Sequence, residues 1–441
     1  MLLLGNGTVI TRDPACPLLA DGCLVIEGSL ITAVGQTAVL RKQYPAARFM
    51  DAGRKLVMPG LINPHMHFYS TFARGMALKD KPPANFRETL ERLWWRLDRT
   101  LTLEDIYFSA LVPMIDCIKN GTTTVFDHHA SQHCIEGSLF KIEDAAREAG
   151  LRACLCYEVS DRDGSGAAAQ GIRENIDFIE HCRRAADPML KAMFGLHASL
   201  TLSDQTLALC ALANSDSGVG FHIHAAEGIE DLNDARSHYG LGVIERLDAS
   251  LILGEKTIAA HCIHVSKSEM ALLGATRTKV VHNPESNMGN AVGAAPVLEL
   301  LANSVQVGLG TDGYTCDLFE SLKVANCLVK HENRDPGAGW AELPAMLFEN
   351  NRQIASLYFP ALGQLVPGAC ADVIVADYQP PTSLTADNLN SHILFGVSGR
   401  SVETTIINGR VIMENRQMTI LDEERVYARS RELANRVWSR F

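Results

Sequence analysis

Two histidines one residue apart, His65 and His67, close the stretch LVMPGLINPHMHFYS after the apolar residues Leu56-Val57-Met58 and Leu61-Ile62. Side chains at i and i+2 of a strand share a face, so the two imidazoles converge. A buried pair either binds a cation together or must satisfy four ring nitrogens separately. Alone, a His-x-His is a weak signal, equally open to histidines satisfied by nearby carbonyls. Residues that end other short apolar runs decide the matter: Asp127-His128-His129, His197, His222 and His224 with Glu227, His261 and His264, His282-Asn283, and Asp312. Imidazoles recurring at so many strand ends are hard to explain by packing, because each needs its own partner. Neutral imidazoles with one carboxylate are the usual ligands of a catalytic divalent metal, which keeps a position open for water. We assign His65, His67, His224 and Asp312 as ligands. His222, one layer deeper on the same face, is the alternative to His224, and the preference rests on Glu227, which must reach the same water from the following loop.

The elements that position these residues have a regular order. Residues 1–58 read as short β segments (TVIT, CLVIEGSLITAVG, RFMDAGRKLVMPG) with glycines at turns. From residue 59 to 364, eight apolar strands alternate with helical patterns: the opening strand, then GTTTVFDH, RACLCYEV, KAMFGLHAS, VGFHIHAAE, KTIAAHCIH, TKVVHNP and SVQVGLGTDG. That pattern predicts a (β/α)8 TIM barrel, with a doubly wound open sheet as competitor, and in a barrel chemistry sits at the C-terminal strand ends. Residues 365–441 return to β texture in GACADVIVADY and VETTIINGRVIM and end in a charged amphipathic helix. The two ends are expected to meet in one small composite β-sandwich domain, into which the barrel is inserted.

Composition narrows the function. With 441 residues, 47% hydrophobic and 21% charged, the chain can bury a large core, and a net charge of −11 without any basic block argues against nucleic acid. The first residues lack a signal-peptide pattern, no apolar run reaches the ~18 residues of a membrane helix, and the twelve cysteines form no CxxC pair. A cytoplasmic protein with reduced cysteines, acting on a small molecule and not at a membrane, is expected.

The motifs PGLINPHMH, FARG, NGTTTVFD, HIHAAEG, TIAAHCIHV, VHNPESNMGN, GLGTDG and PGACADVIVAD, in this order, resemble those of the amidohydrolase superfamily. They are most similar to its aminohydrolase branch of S-adenosylhomocysteine and guanine deaminases and s-triazine hydrolases. The resemblance spans essentially the whole chain. It implies one divalent metal, zinc first with iron or manganese as alternatives, held by His65, His67, His224 and Asp312. It further implies Glu227 as proton shuttle, His261 as a hydrogen-bonding electrophile and a homodimer. Binuclear relatives carry a carbamylated lysine at the end of strand four, whereas Lys191 lies at that strand's start, so a single metal follows. The run DHHASQH, Asp127 to His133, departs from the deaminases of the branch.

The expected reaction is hydrolytic deamination of a purine-like heterocycle, with cyclic amide or imide ring opening as the enzymatic alternative and a silent binding scaffold as the non-enzymatic one. Asp312 doubles as ligand and base. Glu227 could instead face the dipole of the helix that follows it. His197, His282, Arg74 and His128 are candidate substrate-binding residues, while Trp94-Trp95 reads as core or pocket wall.

Overall fold

A computed structural model describes residues 1–441. The barrel is built from β6 (Leu61–Met66), β7 (Thr122–His129), β8 (Arg152–Tyr157), β9 (Leu190–Ala192), β10 (Phe194–Ala198), β11 (Phe221–Ala225), β12 (Ile258–His261), β13 (Lys279–His282) and β14 (Val307–Leu309). Strand four is thus two pieces, β9 and β10, interrupted at Met193. Parallel pairing runs β6-β7-β8-β9 and β10-β11-β12-β13-β14. Single bridges from Val159 to Leu196 and from Met66 to Asp312 join the two arcs into a closed ring. Helices such as Leu103–Lys119, which tolerates Pro113, connect the strands on the outside.

Along β7, Phe126 points into the barrel and Val125 toward the helices. Alternation then carries His128 inward, one pleat above Phe126. The inner floor is filled by Ile62, Phe126, Cys154, Cys156, Ile258 and Val281. β6 breaks simple alternation. Ile62 faces in, and so does His65 three residues on, because the pairing of β6 with β7 slips between Asn63 and Met66. Pro64, which has no N–H to give to a ladder, sits in that irregular stretch.

The second sheet draws strands from both ends of the chain: β1 (Leu2–Ile10), β2 (Leu18–Glu27), β3 (Leu30–Gln36), β4 (Arg48–Asp51), β5 (Leu56–Pro59), β15 (Val373–Ala376), β16 (Val402–Ile407), β17 (Arg410–Glu414) and β18 (Gln417–Met418). They form one connected sheet in the order β18-β17-β16-β15-β5-β1-β2-β3, with β4 beside β1. A separate apolar core lies on it, including Leu4, Leu24, Val57, Val373 and Ile406. Residues 1–58 are not wholly β, since Thr37–Gln43 is a helix, and a helix Leu389–Gly396 lies between β15 and β16.

The apolar run from Leu56 to Ile62 is divided at Gly60 between the two sheets. A Cβ on Gly60 would meet the Thr123 side chain at 2.2 Å, so only glycine fits. A buried ion pair, Arg152 Nη2 to Asp372 Oδ1 at 3.1 Å, ties the start of β8 to the start of β15. The final helix, Glu423–Arg440, packs on Leu103–Lys119, and Trp438 Nε1 donates to Phe72 O at 2.7 Å.

Candidate metal centre

Three imidazoles and one carboxylate meet above the barrel floor. One ligand atom from each of His65, His67, His224 and Asp312 lies within 4.8 Å of all the others. His67 Nδ1 is 2.5 Å from His128 O, and His224 Nδ1 is 2.9 Å from His197 O. A carbonyl only accepts, so both Nδ1 atoms carry hydrogen and both Nε2 atoms present lone pairs when the rings are neutral. Those two Nε2 atoms are 3.0 Å apart. Two lone pairs at that distance repel unless a cation lies beside them. Asp312 Oδ1 is 3.1 Å from His67 Nε2 and 3.7 Å from His65 Nε2, and His65 Nε2 is buried without a hydrogen-bond partner. Tetrahedral ligands about 2.0–2.1 Å from a zinc-sized ion would be about 3.3 Å apart, so the donor set fits a single divalent cation.

Electrostatics agree. Burial alone would lower the pKa of His67, yet Asp312 raises it to about 9. Burial would raise Asp312, yet His65 and His67 hold its carboxyl well below the usual range. Burial instead lowers His65, to about 3, and lowers His224 well below the ordinary imidazole range, so these two rings are kept in the neutral form that ligates a metal. Asp312 is held by Ser286 Oγ, which donates to Oδ2 at 2.5 Å, and by Gly313 N, which donates to Oδ1 at 2.8 Å. Its φ of 54° lies in the left-handed region, a strained conformation of the kind that gathers at functional sites.

His261 reaches the cluster by a similar device. Ile258 faces the barrel interior and Ala259 the helices, so alternation would send His261 outward. Left-handed φ values of 75° at His261 and 50° at Cys262 turn the ring back in. Its Nδ1 is 2.7 Å from Asn287 Oδ1, and its Nε2 is 3.6 Å from both Glu227 Oε2 and Asp312 Oδ2. Burial, then the charge of Asp312, raises the Glu227 pKa well above the ordinary value. Glu227 does not cap the following helix, Ile229–Tyr239. The N–H of Ala226 near its start bonds instead to Asp231.

Above the cluster opens a cavity of about 250 Å³. His67, His224, Asp312 and Glu227 reach it from below, and Tyr69, Phe86, Leu93, Trp94, Trp95, His197 and Tyr314 wall it. The Trp94 end of this wall is a π-helical turn, Leu90–Trp94, between short α-helical pieces.

A model of the amidohydrolase family matches residues 56–412, most of the chain. The protein belongs to the amidohydrolase family. A model described as the imidazolonepropionase-like composite domain of bacteria matches residues 22–47 of this amidohydrolase. The chain is 33% identical to a 5-methylthioadenosine/S-adenosylhomocysteine deaminase of Pelotomaculum thermopropionicum, covering 100% of this chain and 99% of that protein. It is 31% identical to a 5'-deoxyadenosine deaminase of Methanosarcina mazei, again over 100% and 99%. The crystal structure of an adenosine deaminase from Xanthomonas campestris with bound zinc superposes with a TM-score of 0.88 at 23% identity, covering 99% of this chain and 98% of that one. No helix of the amidohydrolase is long and apolar enough to cross a membrane.

Within this amidohydrolase, three expected substrate-binding residues are not at the cavity. Arg74 follows the 3-10 turn Phe68–Ala73, which carries it outward, and its exposed side chain pairs with Asp116 at 3.0 Å. His282 is fully buried with both ring nitrogens unpartnered; Val281 faces the interior, so alternation sends His282 to the other side with Val280. His128 is buried beneath the ligands, its Nε2 3.0 Å from His222 O. His197 does line the cavity, its Nδ1 2.7 Å from Thr201 Oγ1. His222 lies behind the ligands, with Nε2 2.9 Å from His65 Nδ1. Lys191 bonds to Asp187 O at 3.0 Å, outside the cavity. His129 is buried against Ser131, while His133 is exposed near Asp163.

The sequence reading missed Glu158, Ser286, Asn287 and Tyr69. Glu158 carried a usable signal, since it follows the third strand directly at the end where barrels place chemistry.

Proposed function

We propose that this amidohydrolase deaminates a purine-like heterocycle hydrolytically. The observation that carries the reading is the adjacency of two carboxyls, Glu227, whose pKa burial raises, and the ligand Asp312, whose pKa His65 and His67 hold low against burial, each 3.6 Å from His261 Nε2 at the base of an aromatic-walled cavity. The deaminase names of the full-length relatives support it. His65, His67, His224 and Asp312 would hold the metal, and zinc is our choice because three imidazoles and one carboxylate suit it. When bound, the metal provides Lewis acidity that makes water nucleophilic near neutral pH.

The chain's own groups then handle the protons. Asp312 accepts a proton from water as its oxygen bonds to the ring carbon, and Glu227 gives its proton to the adjacent ring nitrogen. His261, oriented by Asn287, steadies the charge that develops between them. Asp312 passes its proton to the exocyclic amine, which leaves as ammonia, while the new hydroxyl proton returns to Glu227. One water is consumed and one ammonia is released. The aromatic wall at Tyr69, Trp94 and Trp95 suits a flat ring. A homodimer located in the cytoplasm completes the proposal.

The test is ammonia release from a panel of aminopurines, aminopterins and aminopyrimidines by the metal-loaded protein. Products that keep all their nitrogen and gain a carboxylate would point to ring opening instead. No turnover of either kind, with metal bound, would leave a scaffold.

A further inference from the structure

Glu158 directly follows β8 and faces the cavity. Its side chain is only 2% exposed. Oε2 has no hydrogen-bond partner, and its nearest charged neighbour is His128 Nδ1 at 3.2 Å, itself unpartnered. On the other oxygen, Arg162 is 3.9 Å from Oε1, beyond hydrogen-bonding range, and its guanidinium is already bound to Asp98 at 2.8 Å. A buried carboxylate normally collects donors from its surroundings. This one is held among cationic and imidazole neighbours at the edge of an open space, and the chain does not complete its hydrogen bonds.

The position limits what could complete them. A Glu158 oxygen lies within 4.8 Å of a ring nitrogen of His67, of His128 and of His224, so its partner belongs to a part of the substrate that lies against the ligand side of the cavity. We infer that Glu158 is a specificity-determining residue that accepts a hydrogen bond from an N–H or O–H group of the substrate, carried on the ring or directly beside it. Rings offering only acceptors on that edge would be rejected, because they would leave the carboxylate buried and unpaired. The inference rests on the deaminase reading for the kind of ring. Two sources of donor share this chemistry, a ring amine and the hydroxyls of an attached sugar.

The experiment separates them by calorimetric titration of the metal-loaded Glu227→Gln protein, in which turnover is blocked. Guanine is compared with hypoxanthine, which lacks the 2-amino donor, and inosine with 2',3'-dideoxyinosine, which lacks the hydroxyls. In at least one pair the donor-bearing ligand should bind about 10- to 100-fold tighter, the range for a hydrogen bond to a charged group. Adding Glu158→Met, similar in size but without an acceptor, should shrink that preference to under about threefold, and Glu158→Gln should leave an intermediate value. The first pair identifies a ring amine and the second a sugar. The inference falls if neither pair differs, if the preference survives in both Glu158 variants, or if none of the four ligands binds. Ammonia release without any Glu158-dependent preference would sink this inference alone. A Glu158-dependent preference without ammonia from any substrate would sink the deaminase reading alone.

Discussion

His222 stands behind His65, its Nε2 2.9 Å from His65 Nδ1, so that one imidazole orients another whose far nitrogen faces the metal site. Such outer partners fix the tautomer and aim of a ligand. His222→Ala should therefore weaken metal binding by about 10- to 100-fold, measured by competition with a chelator, while His65 itself is untouched. Unchanged affinity would mean that His65 needs no support from beneath.

Removing a ligand should have a larger and simpler effect. In His67→Ala and Asp312→Ala, metal content should drop from about one equivalent and turnover should vanish with it, because each contributes one of the few ligands of the site. Metal analysis beside an ammonia assay checks this. A variant that keeps full metal and full rate would show that its residue is not a ligand.

Glu227→Gln separates proton transfer from metal binding. The amide keeps the shape but holds no transferable proton, so metal content should stay the same while kcat falls by about 10²- to 10⁴-fold. Coincident loss of metal would assign Glu227 to the wrong part of the site.

The pH profile follows from the opposite shifts of two carboxyls. Glu227, raised by burial and by Asp312, must be protonated to act as acid. Asp312, which burial would raise but His65 and His67 hold low, must be ionised to act as base. kcat/KM should thus be lost on the acid side as pH falls through the depressed Asp312 value, and on the alkaline side as pH rises through the elevated Glu227 value. The residual rate of Glu227→Gln should lack the alkaline limb.

Arg152 and Asp372 make a prediction about stability. Both side chains are 2% exposed, and Asp372 also accepts from Asn408 N. Arg152→Ala strands a buried carboxylate and should cost about 3–5 kcal/mol, as breaking such pairs does. Denaturant unfolding measures the loss. Replacing both by apolar residues, Arg152→Met with Asp372→Leu, should restore most of it; a double variant as weak as the single one would show that shape rather than charge matters there.

Much of this arrangement was legible in the residues. His65, His67, His224 and Asp312 each end an apolar run of barrel-strand length, and the ring of strands brings such ends together. What stayed hidden was backbone detail. His261 lies on the wrong parity of its strand and enters the site only through a left-handed φ. His282 looked equivalent to its neighbours, yet nothing in a four-residue strand tells which parity faces in. Arg74 was lost to a 3-10 turn, and the ion pair with Asp116 joins residues 42 apart in sequence. Glu158 follows its strand directly, but a lone carboxylate with no histidine beside it in CYEVSD carries a weaker signal than the imidazoles at the other strand ends.

Gly60 alone separates the strand of the terminal sheet from the one that carries His65 and His67. With both ladders kept in place, one amino acid inserted at this junction would move every following residue on by one and present Pro64 and Met66 where the imidazoles now stand. The outer sheet therefore acts as a ruler for the metal ligands, and its register decides whether they meet.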